Sequence, residues 1–459
     1  MSMIQSFLQQ YEGAVSFDRK LEAVDYQKLS IDSRTIQSGE LFLALRGENH
    51  DGHTFVPRVL EKKPSGIVVE KKWFDQNKAL RGKSDPPVIV VKDSLDFLQQ
   101  LGAWHRRQFA IQVVGLTGSN GKTTTREMIA AVLENRFKVF RSRGNKNNHI
   151  GLPLMLLQIN DDTEIAVIEM GTNHPGEIAL LTELTQPTAG MITNVGKGHL
   201  GFFGSVEDIY REKTALFDYL DESSLIFVNM EDRLLRNYPH AERMAVEVGY
   251  SKKYEVWGRI EYIDRLGRVK FNLNGAISIA LKVPGTHQVG NALLAAAVGM
   301  KFGIGEEEIQ KALENFSPSD KRMDIFEKNE IVFINDAYNA NPDSMRAAVT
   351  YLSTLRNGTG KRILILGDML ELGEYAKIEH HRLGEFIATK PIDYVFLYGP
   401  ESLVIQEVIE RNDGGKKRAF WYQTHKEIAA HLKEILAPRD FVLIKGSRGM
   451  TMEKVFDNL

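Results

Sequence analysis

Gly115-Leu-Thr-Gly-Ser-Asn-Gly-Lys-Thr123 carries the G-K-[ST] ending of the phosphate-loop pattern G-x-x-x-x-G-K-[ST], with one residue more between its first and last glycine. The apolar run Ile111–Leu116 leads into it as a short buried strand, and Thr123–Asn135 leaves it with helical character. That context separates a phosphate-binding loop from a chance glycine-rich turn. The glycines let successive backbone N–H groups converge on phosphate oxygens, and the helix N-terminus adds about half a positive charge. Lys122 can reach the β- and γ-phosphates, and the Thr123 hydroxyl can hold Mg²⁺. The loop says that a nucleoside triphosphate is bound. It does not say what receives the phosphoryl group.

Working outward, further strands are expected at Ile165–Ile168, Ala189–Asn194 and Leu225–Asn229, separated by helix-length segments. Such alternation builds a parallel sheet with helices on both faces. The polar, alternating stretch Tyr254–Val283 reads as an antiparallel addition at the sheet edge, and Asn291–Phe302 as an alanine-rich helix. Upstream, the runs Leu41–Leu45, Ile67–Val69 and Val88–Val91 alternate with helix-like Phe55–Lys62 and Ser94–Phe109, and Lys83–Pro87 reads as a loop. Downstream, five strands are expected at Ile331–Asn335, Arg362–Leu366, Tyr394–Tyr398, Ala419–Tyr422 and Phe441–Lys445. The expected fold is α/β with three domains. A small α/β domain (1–106) precedes a central P-loop domain with a parallel sheet (107–317), and a Rossmann-like domain (318–459) follows.

The length of 459 residues agrees with about three domains. A net charge of −2 gives no global attraction for nucleic acid. The short basic clusters Lys71–Lys72, His105–Arg107 and Lys416–Arg418 read as solvated surface. The absence of cysteine excludes a disulfide framework and a thiolate metal site. The N-terminus lacks signal-peptide character, and no apolar run reaches the ~18 residues of a membrane span, so a soluble cytoplasmic protein is expected.

Three residues outside the loop draw attention. Glu169 ends the apolar run Ile165–Ile168, where an acid is desolvated unless it meets a cation. His199 lies in Thr193-Asn-Val-Gly-Lys-Gly-His-Leu-Gly201, directly after a strand, where parallel sheets collect ligands. A loop histidine alone is more often plain surface. Lys213 sits in Ile209–Phe217, which by periodicity alone is an amphipathic helix with a solvated lysine.

Together, Thr117-Gly-Ser-Asn-Gly-Lys-Thr-Thr124, Glu169, His199 and Lys213 resemble the Mur ligases, the amide-forming enzymes of peptidoglycan assembly. The resemblance covers nearly the whole chain. It implies that Gly118, Ser119, Asn120, Gly121, Lys122, Thr123 and Thr124 bind ATP. It also implies that Thr123, Glu169, His199 and a carbamylated Lys213 hold two Mg²⁺ ions. Lys122, His199 and Lys213 would be the catalytic groups. Gly285–Ala292 resembles the segment that brings Asn291 to the nucleotide, although many members carry Asn at the position of Gln288. Lys321-Arg322-Met323 resembles the arginine segment of the nucleotide site, and Asn335–Pro342 resembles D-x-Y-N-A-N-P, with Asp336, Tyr338 and Asn341 near ATP.

Members differ in the amine they add. Gly144–Pro153, with Asn145, Asn147, Asn148 and His149, resembles the substrate segment typical of the dipeptide-adding member. Gly367–Gly373 with His380, and Lys445–Met450, fit the same member, and the D-N-P-R segment of the tripeptide-forming relative is missing. Asp32-Ser-Arg34, Gly39–Phe42 and Gly47…Asp51-Gly-His53 resemble the segments at the UDP-sugar end, which makes Ser33 and Arg34 candidate contacts to the diphosphate. The implied partners are UDP-N-acetylmuramoyl-tripeptide and D-alanyl-D-alanine, on a monomer that is open before ligands bind. Two alternatives remain at this point. One is another ligase of the superfamily, tripeptide-forming or folylpolyglutamate synthase-like. The other is a P-loop switch that hydrolyses nucleotide without an amine acceptor.

Overall fold

Three sheets, each with its own core, organise the described residues. The structure is a computed structural model, and it describes residues 2–17, 21–47, 50–77, 86–317, 322–355, 360–412 and 418–459. Most of the expected Lys83–Pro87 loop and of the Lys416–Arg418 cluster, together with Lys321, lies outside the described residues.

The first sheet holds β1 (Ala14–Phe17), β2 (Leu29–Ser30), β3 (Leu41–Leu43), β4 (Gly66–Glu70) and β5 (Val88–Val91) in the order β1-β5-β4-β3-β2. All neighbours are parallel except β1 against β5. The β-branched runs of β4 and β5 are almost wholly buried, as strands covered on both faces must be. The helix Ser94–Arg107 starts at Asp93, whose side chain accepts from the Asp96 amide, and it buries Phe97, Leu98, Leu101 and Trp104.

Its C-terminal end corrects one expectation. His105 and Arg106 are buried, at 1% and 5% exposure, rather than solvated. The His105 ring bridges the Tyr26 hydroxyl and the Ile159 carbonyl, both at 2.8 Å. Arg106 donates to the carbonyls of Thr185, Phe109, Ile111 and Gln186. Burial without these partners would cost several kcal/mol. The helix therefore enters the middle domain as a fixed strut, and Gly102 packs so closely on Pro153 that a Cβ would lie 3.0 Å from its Cα. Lys71 is exposed as expected and pairs with Asp75.

The middle sheet holds β6 (Gln112–Thr117), β7 (Val139–Arg141), β8 (Ile165–Glu169), β9 (Ala189–Ile192), β10 (Leu225–Asn229), β11 (Ala245–Gly249), β12 (Val256–Ile263), β13 (Arg268–Leu273) and β14 (Ile277–Pro284). Their order is β14-β13-β12-β11-β10-β9-β6-β8-β7. From β7 to β12 the neighbours are parallel, and β12, β13 and β14 form the expected antiparallel edge. Strand β6 lies between β8 and β9, so the chain leaves it in opposite directions at a topological switch point. The loops after β6, β8 and β9 must meet there. The helices Lys122–Leu133 and His287–Lys301 pack together over this sheet.

The third sheet holds β15 (Asp324–Lys328), β16 (Ile331–Asp336), β17 (Arg362–Gly367), β18 (Tyr394–Tyr398), β19 (Arg418–Tyr422) and β20 (Phe441–Lys445), in the order β15-β16-β20-β17-β18-β19. Five are the expected parallel strands. The sixth, β15, was not expected, because its side chains are mostly exposed and its sequence DIFEK carries no apolar run. It pairs antiparallel with β16 across Asn329-Glu330, both at positive φ (53° and 59°), which is the geometry of a tight two-residue hairpin. Among the described residues no helix is long and apolar enough to cross a membrane.

Candidate active site

The loop after β6 is held open by glycine at positions that no other residue fits. A Cβ on Gly118 would lie 1.9 Å from Thr193 Oγ1, and Gly121 caps the next helix at φ 79°. Lys122 opens that helix and folds back so that Nζ donates to the Gly118 carbonyl at 2.6 Å. Burial pulls its pKa below the ordinary lysine value, and the Arg322 charge adds to this, while Glu169 opposes it. An anion among these groups would therefore meet a poorly hydrated ammonium.

Glu169, at the end of β8, meets the cation that its burial requires. Its Oε2 accepts from Arg126 Nη1 at 2.9 Å and from Thr123 Oγ1 at 3.0 Å, and its Oε1 accepts from Asn147 Nδ2 at 2.8 Å. Both Arg126 and Glu169 side chains are 3% exposed. Arg126 was not singled out from the sequence. Its signal was its spacing three residues after Thr123, which puts both on one helix face.

After β9, the loop turns sharply and His199 takes a left-handed conformation at φ 60°. Its buried Nδ1 lies 2.7 Å from Glu371 Oε2 of the third domain, without the angle of a hydrogen bond. The imidazole holds the Glu371 carboxyl below its ordinary range. Lys213 overturns the periodicity reading of a solvated lysine. It is 2% exposed on the helix Val206–Tyr219 and has no hydrogen-bond partner among the described residues. Desolvation first, then the charge of Lys122, pulls its pKa from 10.5 to about 7, with Glu212 opposing. Glu212 itself is occupied by the Gly176 and Ile178 amides and the Thr172 hydroxyl.

The third domain supplies the opposite wall. The Arg322 guanidinium lies 3.6 Å from the centre of the Tyr338 ring. Asp336 accepts from Lys445 Nζ at 2.6 Å and from the Met323 amide at 3.2 Å. Asn341 caps the helix Pro342–Thr354 and crosses the gap to donate to Asn120 Oδ1 at 2.8 Å. Asn291 Nδ2 donates to Gln288 Oε1 at 2.8 Å, so Gln288 orients Asn291. The third domain thus rests on the middle one in this structure.

One cavity of about 890 Å³ unites these groups. Its floor is Ser119 to Thr124, and its far end is Asn145, Asn147 and Asn148. Glu169, His199 and Asn291 line it from the middle domain, and Arg322, Asp336, Tyr338 and Asn341 from the third. Gly118, Lys213 and His149 do not line it; His149 faces Glu177 at 3.3 Å. Ser33 and Arg34 are also elsewhere, on the first domain, where Arg34 forks onto Asp32 at 2.9 and 2.7 Å. Asp343, Lys197, Tyr250 and His287 line the cavity without having been singled out, although Lys197 and His287 fall within the segments Thr193–Gly201 and Gly285–Ala292.

Thr123 Oγ1 and Glu169 Oε2 form a pair of hard oxygen donors at one edge, which suits Mg²⁺. No group of three acidic, histidine or cysteine side chains gathers for a metal among the described residues. The residues thus fit a metal held largely by a bound phosphate and water, and Lys213 could join only as an anion.

Comparison with known proteins agrees with this geometry. Residues 25–106 match the model described as Mur ligase family, catalytic domain; residues 116–299 match the Mur ligase middle domain; residues 321–448 match the Mur ligase, glutamate ligase domain. The UDP-N-acetylmuramoyl-tripeptide–D-alanyl-D-alanine ligase of Bacillus subtilis is 36% identical, over 94% of this chain and 92% of that protein. A crystal structure of MurF from Acinetobacter baumannii superposes with a TM-score of 0.87 at 31% identity, covering 99% of this chain and 98% of that one. The MurF ligase of Thermotoga maritima in complex with ADP gives 0.82 at 27% identity, covering 96% and 98%. With family models matched in all three domains and relatives aligned along nearly its full length, the chain belongs to the Mur ligase family.

Proposed function

We propose that the chain uses ATP to join D-alanyl-D-alanine to the terminal carboxylate of UDP-N-acetylmuramoyl-tripeptide, giving the pentapeptide, ADP and phosphate. The observation that carries this reading is the single cavity in which a phosphate cradle, a strand-end acid and a polar wall from a second domain meet. The Bacillus subtilis relative carries the name of this reaction, and the Thermotoga maritima one binds ADP.

A carboxylate does not condense with an amine in water, because hydroxide leaves poorly. If the tripeptide carboxylate attacks the γ-phosphorus, ADP leaves and an acyl phosphate forms. The dipeptide amine then attacks the acyl carbon, phosphate departs, and the amine loses a proton. Lys122 and the amides at the start of its helix would face the phosphoryl oxygens, where negative charge grows in the first step. Arg322 and Tyr338, with Asp336 fixed by Lys445, would hold the nucleotide from the other wall. Asn145, Asn147, Asn148 and His149 would position the peptide, while Ser33 and Arg34 would meet the UDP end. Mg²⁺ held by Thr123, Glu169 and His199 would supply charge neutralisation and in-line orientation. A neutral Lys213 amine can take up CO₂ and release a proton, becoming an anionic oxygen ligand for a second ion. Its lowered pKa supports that conversion.

The division into domains 1–106, 107–317 and 318–459 belongs to the same reading, as do a cytoplasmic location and a monomer whose site residues all come from one chain. The test is phosphate release with ATP and both substrates, then with either omitted. Release that depends on both, with a pentapeptide product, is expected. Release indifferent to either would favour a nucleotide-hydrolysing switch.

A further inference from the structure

The loop after β9 has two faces, and only one of them holds His199 near the cavity. Its first face grips the phosphate loop. The amides of Ser119 and Asn120 donate to the Asn194 carbonyl and side chain, both at 2.9 Å. Ser119 Oγ exchanges bonds with the Gly196 amide and carbonyl at 2.8 and 3.1 Å. The Thr193 hydroxyl donates to the Asn120 carbonyl at 2.6 Å.

Its second face carries the third domain. The Lys197 amide donates to Asp343 Oδ2 at 2.7 Å, and Lys197 Nζ donates to Glu379 Oε1 at 2.8 Å. Glu379 is only 2% exposed and also takes Arg382. The Gly201 amide donates to the Glu371 carbonyl at 3.1 Å, and the Tyr375 hydroxyl donates to the Gly204 carbonyl at 2.8 Å. Leu200 and Phe203 leave their own domain's core and pack with Met345, Leu352 and Leu372 of the third. A Cβ on Gly201 would lie 2.6 Å from the Gly373 nitrogen, 2.7 Å from the Leu372 carbonyl carbon and 2.9 Å from the Glu371 oxygen. Those are backbone atoms and cannot turn aside.

The landing surface is stiff. Asp368 accepts from the Ser402 and Glu401 amides at 2.7 and 3.2 Å. The Met369 amide donates to His380 Nε2 at 3.1 Å, and the Leu370 amide donates to Ser447 Oγ at 2.8 Å. Each bond fixes the backbone of Gly367–Gly373, the segment that meets Gly201. His380 is thereby an internal brace of this surface and does not face the cavity.

We propose that Lys197 and Gly201 are positioning residues. They seat the third domain on the loop that grips the phosphate cradle, and so bring Arg322, Tyr338 and Asn341 into register with Lys122. The consequence for rate rests on the function proposed above, whereas the seating does not. Gly201 lies in the short helix Leu200–Phe203, where alanine is a better helix former than glycine. The variant Gly201→Ala therefore leaves the middle domain intact and obstructs only the seating.

The experiment compares full-length wild type, Gly201→Ala, Lys197→Met and Lys197→Arg. Small-angle scattering is recorded with a non-hydrolysable ATP analogue and UDP-N-acetylmuramoyl-tripeptide, and steady-state ligation is measured alongside. Gly201→Ala is expected to have a larger radius of gyration than wild type and a kcat lower by roughly a hundredfold, the scale of an ångström-sized misplacement. Its KM for the tripeptide should stay within about twofold, since that substrate is held by the other two domains. Lys197→Met should lose rate in the same way, and Lys197→Arg should recover part of it. Equal radii for Gly201→Ala and wild type, or an undiminished kcat, overturn the proposal. Wild type that ligates nothing, with the radii still different, overturns the function and supports the seating.

Discussion

Replacing Lys213 with methionine should make the protein more stable and inactive, and the gain should shrink as pH rises. Methionine keeps the length and volume of the side chain and removes the buried ammonium. The folded lysine has its pKa near 7 against an ordinary 10.5, chiefly through desolvation. That displacement corresponds to about 5 kcal/mol between the two protonation states. Below pH 7 the folded lysine is charged and carries this destabilisation in full. As pH rises from about 7 towards 10.5, the unfolded chain holds a proton that the folded chain has released, so wild-type stability increases with pH. The advantage of Lys213→Met should therefore fall by about 2 kcal/mol between pH 7 and pH 9. Differential scanning calorimetry of both proteins in CO₂-free buffer at the two pH values reads it, through the transition of the middle domain. CO₂ is excluded because a carbamate would replace the cation by an anion. A stability difference that is absent, or the same at both pH values, would refute the account of Lys213 as a desolvated amine.

Three other outcomes follow from the site. Lys122→Ala should fold normally yet lose roughly 10³-fold in ligation rate, the effect of removing one preorganised donor from growing charge; a rate near wild type would sink the phosphate-cradle assignment. Arg126→Leu should lower stability by about 3 kcal/mol, because Glu169 would be left buried without its cation, and chemical denaturation of the full chain reads this directly. Arg34→Ala should leave thermal unfolding unchanged, since Arg34 is largely exposed, while raising KM for the UDP-linked substrate about tenfold. An unchanged KM would remove Arg34 from the substrate site.

The features that could be read from the sequence are those encoded within a few neighbouring residues. The phosphate loop is contiguous, and its glycines are required by a local turn, so the strand–loop–helix order followed directly. Glu169 needed a cation, and the structure supplied Arg126, but the sequence could not name a partner 43 residues away. Lys213 failed for a related reason: helical periodicity counts apolar neighbours on one helix, and this face is covered by other elements. His105 and Arg106 failed in the same way, because carbonyl groups from distant loops neutralise the cost of burying them. The glycines of residues 196–201 suggested a ligand loop, yet two of them mark where another domain's atoms come close. Pairing of that kind leaves no trace in local composition.

The strut made by Ser94–Arg107 has a metric consequence. Arg106 and Gly102 tie the first domain to the middle one, and so set the span from Arg34 to the phosphate loop in this structure. A substrate anchored by its nucleotide at one end must then bridge a set span to bring its acid beside Lys122. Each peptide residue adds at most about 3.5 Å of reach. On the proposed function, a stem one residue short would stop before the cradle and one residue long would have to buckle, so the scaffold would act as a ruler for stem length.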